Sequence, residues 1–70
     1  MAKLSGVKHQ QAVRALERTG FWILRQGKHI IMSNGERLVT IPRNNPINAF
    51  TMAGIVRDAG FTIEQFRDLL

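Results

Sequence analysis

The side chain best equipped for chemistry in this sequence lies in Gly27-Lys28-His29. Imidazole is the group best suited to moving protons near neutral pH. Lys28 stands beside it, and Arg25, Arg37 and Arg43 lie in the flanking runs. An ammonium and guanidiniums can hold a phosphate and stabilise the charge that develops as it is attacked. Such a set suits RNA cleavage, in which a ribose 2′-hydroxyl attacks the adjacent phosphorus and His29 acts as general base or acid. The bland alternative is a surface histidine beside a turn.

Other chemistries find little support. His9 precedes Val13 by one helical turn and Leu16 by two, so it reads as a structural or bystander residue at the end of an apolar stripe. Two histidines, no cysteine and no H-x-x-x-H or H-E-x-x-H spacing leave too few ligands for zinc. The carboxylates are scattered, and no Gly-x-x-x-x-Gly-Lys loop is present, so no cofactor is expected. Trp22 can stack on a base, but its place in a strand of a small domain favours the core.

The elements that must position His29 are legible from periodicity. Phe21 to Gln26, His29 to Ser33 and Arg37 to Ile41 read as strands of an antiparallel meander. Gly27 allows one tight turn. Asn34-Gly35 predicts a type I′ hairpin, and Pro42 ends the third strand. Alternation buries Ile30, Met32, Val39 and Ile41 under helices and leaves His29 on the open face or its edge. The first strand is apolar on both sides, and a one-residue error in strand register would move Arg25, Arg37 and Arg43 across the sheet. Helices are expected over Gln10 to Arg18, stopped by Gly20, and from Asn48 or Ala49 to Gly60, with Met52, Ile55, Val56 and Ala59 as core stripe. Thr62 with Gln65 predicts a capping box for a last short helix carrying Phe66 inward. Met1 to Val7 reads as a lead-in. The order is α-β-β-β-α-α in one domain spanning residues 1–70.

Composition sets the outer bounds. Apolar residues at 44% suffice for a core in a chain of 70 residues. The absence of cysteine fits a reducing compartment. The start has no apolar leader and no run is long enough to cross a bilayer, so a cytoplasmic protein is expected. The net charge is +5 and uneven: residues 1–45 hold eight basic against two acidic side chains, and residues 46–70 hold two against three. A one-sided basic surface points to a polyanion, either nucleic acid or an acidic protein.

The order and spacing of several short pieces resemble the HicA-like, or YcfA-like, family of small mRNA interferases. These pieces are Lys3-Leu-Ser-Gly-Val7, Ala12-Val-Arg-Ala-Leu-Glu-Arg-Thr-Gly-Phe21 and Arg25-Gln-Gly-Lys-His-Ile-Ile-Met32, followed by Val39-Thr-Ile-Pro-Arg43, Asn45-Pro-Ile47, Ile55-Val-Arg-Asp-Ala-Gly60 and Glu64-Gln-Phe66. The resemblance implies an α+β, double-stranded-RNA-binding-domain-like fold with helices on one face of a three-stranded sheet. It implies ribosome-independent, metal-independent mRNA cleavage by the toxin of a type II toxin–antitoxin pair, and a HicB-like antitoxin as partner. The family's catalytic histidine matches His29, with Lys28, Arg25, Arg37, Arg43 and Asn44 as expected RNA contacts. Three positions depart from the family. Lys28 stands where serine is frequent, Asn44 where a second histidine is common, and Phe50-Thr51-Met52 where a Gly-Thr-Leu often opens the second helix. Asn44 cannot transfer protons, which keeps open a non-catalytic RNA-binding module and a purely protein-binding role.

Overall fold

The computed structural model describes residues 4–70, so residues 1–3 of the expected lead-in lie outside it. The elements are α1 (His9–Glu17), β1 (Trp22–Gln26), β2 (His29–Ser33), β3 (Leu38–Pro42), α2 (Ala49–Ala59) and α3 (Ile63–Arg67). The strands form one antiparallel sheet in the order β1-β2-β3. The α-β-β-β-α-α order and the meander are as the sequence predicts, with element ends displaced by a residue or so. No described helix is long and apolar enough to cross a membrane.

The core lies on one face of the sheet. Ile30, Met32, Val39 and Ile41 are buried there together with the α2 stripe of Met52, Ile55, Val56 and Ala59, and with Leu16 and Phe66. Leu4, Val7 and Ile47, which periodicity does not mark, complete this cluster. The Ile47 N–H donates to the Val7 carbonyl at 2.7 Å, which ties the lead-in to the loop before α2.

The helix ends follow local rules. The Gly20 N–H donates to the Glu17 carbonyl and the Phe21 N–H to that of Leu16; Gly60 and Phe61 repeat the pattern on Arg57 and Val56. Both ends are Schellman motifs, with the glycine in the left-handed region and a phenylalanine turning back to the core. Asn48 caps α2 by accepting the Phe50 N–H at 2.7 Å. At α3 the expected capping box is present: the Gln65 N–H donates to Thr62 Oγ1 at 3.1 Å and the Thr62 N–H to Gln65 Oε1 at 2.9 Å.

Two expectations need correction, and one strand is irregular. The Asn34-Gly35 turn is not type I′, because only Gly35 has a positive φ. Instead Asn34 Oδ1 accepts the N–H groups of Glu36 and Arg37, and side-chain acceptors shape a loop over residues 34–37 between the paired Ser33 and Leu38. Strand β1 is bulged at Leu24: Ile23 pairs with Met32 and Arg25 with Ile31. Trp22 is not in the core. It is 48% exposed and pairs with Ser33, on the face turned away from the helices.

Candidate functional site

Strand β2 opens on His29 as soon as the β1–β2 hairpin closes. Gln26 pairs with Ile30, and the Gly27 N–H donates to the His29 carbonyl at 3.1 Å, leaving Gly27 and Lys28 at the tip. Ile30 is buried on the helix side, so alternation turns His29 to the open side, where it is exposed beside exposed Lys28. Pro42 lies opposite His29 on β3.

Two arginines gather at this end. The bulge at Leu24 shifts the alternation of β1, so Arg25 stands on the open face opposite Ile31, a diagonal neighbour of His29. Regular pairing beyond Ile23 would have turned Arg25 under the helices. Arg43 reaches the hairpin from β3: its Nε donates to the Gly27 carbonyl at 3.0 Å. Gly27 itself has no left-handed φ, and a Cβ there would meet nothing within 4 Å, so this position does not require glycine for the turn. Asn44 follows Arg43 on the exposed loop.

Arg37 is not brought to this end. It precedes Leu38 at the opposite end of β3 from Pro42, about 17 Å away along the strand at ~3.3 Å per residue. Its Nη1 donates to the Asp58 carbonyl at 3.4 Å, and its guanidinium lies over Gly60. There it meets the carbonyl end of α2, where a cation is favoured.

One feature of the site was not visible in the sequence. Asn45 Oδ1 accepts both the His9 N–H, at 3.1 Å, and His9 Nδ1, at 2.7 Å. The two residues are 36 positions apart, so no local spacing signals the pair. His9, the first residue of α1, is therefore anchored to the loop after β3, the same loop that carries Arg43. It borders a groove of about 330 Å³ between α1 and the start of the sheet. No cluster of three metal-ligating side chains exists among the described residues.

No family model, curated protein or solved structure matches the chain.

Proposed function

We propose that this protein is a metal-independent endoribonuclease acting on mRNA in the cytoplasm, the toxin of a type II toxin–antitoxin pair neutralised by a HicB-like antitoxin. Its helix and strand order is compatible with a variant of the double-stranded-RNA-binding-domain fold. The observation that carries the reading is an exposed imidazole at the open end of β2, with Lys28 next to it, Arg25 on the same face and Arg43 bonded to the adjoining turn. In the proposed reaction the 2′-oxygen attacks phosphorus and the bond to the 5′-oxygen breaks, leaving a cyclic phosphate and a free 5′-hydroxyl. His29 takes the hydroxyl proton or delivers one to the departing oxygen, while the cations hold the phosphate.

The test compares wild type with His29→Ala on mRNA in the presence of a chelator. Wild type cleaves, and the variant is slower by at least ~100-fold, the lower end of what one positioned acid–base group contributes. Equal cleavage by both proteins would remove His29 from the chemistry. Asn44, at a position where a proton-transferring histidine would assist, favours a second reading: a non-catalytic RNA-binding module. Salt-sensitive RNA binding with no cleavage by wild type selects that reading.

A further inference from the structure

The groove between α1 and the hairpin end of the sheet has an apolar floor and a polar rim. Val13, Ile23 and Ile30 line the floor; His9, Arg14 and Arg43 stand on the rim. The state of His9 follows from its partners. A backbone N–H can only donate, so the Asn45 atom that accepts from the His9 N–H is its amide oxygen. The same oxygen lies 2.7 Å from Nδ1, so Nδ1 carries a hydrogen. In the neutral ring this leaves the lone pair on Nε2, which has no protein partner among the described residues. Arg43 spends only Nε on the Gly27 carbonyl and keeps both terminal amino groups. Glu17 also lines the groove. A carboxylate beside two guanidiniums suits a single phosphate rather than a run of them.

We infer that this groove is a ribose–phosphate subsite for an RNA strand: His9 Nε2 accepts a hydrogen bond from a ribose 2′-hydroxyl, and Arg14 and Arg43 hold the adjoining phosphate. This rests on the RNA reading above and deepens it. The 2′-hydroxyl is the group that distinguishes RNA from DNA, and an imidazole with a fixed tautomer reads it as a donor. Arg43 touches both the hairpin that carries His29 and this groove, so a strand held here on the helix side passes around the hairpin end to reach His29 on the open side.

The test uses fluorescein-labelled oligouridylate and oligodeoxyuridylate of equal length, with proteins carrying His29→Ala so that the RNA stays intact. The expected result is tighter binding of RNA than of DNA. Adding His9→Ala abolishes that preference by lowering RNA affinity about tenfold, the effect of one good hydrogen bond, with DNA affinity unchanged. Asn45→Ala loses part of the preference, because the ring is no longer held. Arg14→Ala weakens both ligands. Nitrogen-15 NMR of the histidine ring adds a reading that a structural role would not give: the Nδ1–H tautomer in the free protein and a shift of Nε2 when oligouridylate binds. Loss of RNA and DNA affinity in parallel in His9→Ala, or an unmoved Nε2 resonance, overturns the subsite. Uridine 3′-monophosphate binding as tightly as the oligomer would assign the groove to a free nucleotide and overturn the strand subsite as well. If the parent protein bound no RNA, both proposals would fall. If wild type cleaved RNA while His9→Ala left binding and preference intact, only the subsite would.

Discussion

An alanine at Gly60 would meet two obstacles, and at Gly20 only one. Both glycines hold left-handed φ values, 97° at Gly20 and 89° at Gly60. A side chain in that region costs about 1–2 kcal/mol. At Gly20 a Cβ would find open space, whereas at Gly60 it would lie 2.9 Å from Arg37 Nε. Arg37 would have to move off the end of α2 and give up its contact with the Asp58 carbonyl. Urea unfolding should therefore show both variants destabilised by about 1–2 kcal/mol, with Gly60→Ala the worse. The excess should vanish when Gly60→Ala is made in an Arg37→Ala background, since the obstructing guanidinium is gone. An equal cost at both positions would mean that Arg37 moves aside freely.

At the scale of elements, α3 is the sharpest case of structure borrowed from packing. Five residues are too few to hold a helix in water. Its capping box and the fully buried Phe66 hold it to the core. Phe66→Ala should cost about 3–5 kcal/mol, against a total of roughly 4–10 kcal/mol for a domain of this size. Thr62→Ala, which removes only the cap, should cost about 1 kcal/mol. Circular dichroism during urea unfolding gives both values, and a Phe66→Ala cost no larger than that of Thr62→Ala would show that α3 is held by its cap alone. This helix was legible because its signals are local: a capping box and an apolar spacing. The same holds for the Gly-Phe helix ends and for the buried sides of β2 and β3. The bulge at Leu24 was not legible, because Phe21 to Leu24 is apolar at every position and gives alternation nothing to read. Asn34-Gly35 announced a turn correctly, but its type depended on where the Asn34 side chain found donors. The His9–Asn45 pair depends on the fold bringing the start of α1 to the distant loop after β3, so no periodicity could disclose it.

On the scale of the whole molecule, six of the ten basic side chains divide into two groups with different duties. Arg14, Arg25, Lys28 and Arg43 are exposed around the hairpin end and its groove. Arg18 and Arg37 are occupied elsewhere: Arg18 Nη1 donates to the Leu69 carbonyl at 3.0 Å, and Arg37 reaches the end of α2. Net charge alone treats all six as equal, and the fold does not. If the first group meets a single-stranded RNA backbone, each phosphate it neutralises adds about −0.7 to the slope of log affinity against log salt. Four such contacts predict a slope near −3, from roughly 0.7 per phosphate. Arg43→Ala should reduce its magnitude by about 0.7. Arg37→Ala should leave the slope as it is, although Arg37 carries the same charge. Anisotropy titrations of the His29→Ala protein with oligouridylate over a range of potassium chloride concentrations measure these slopes. Equal changes for Arg37→Ala and Arg43→Ala would mean that RNA responds to the total charge of the domain, and the hairpin end would lose its claim to be the binding surface.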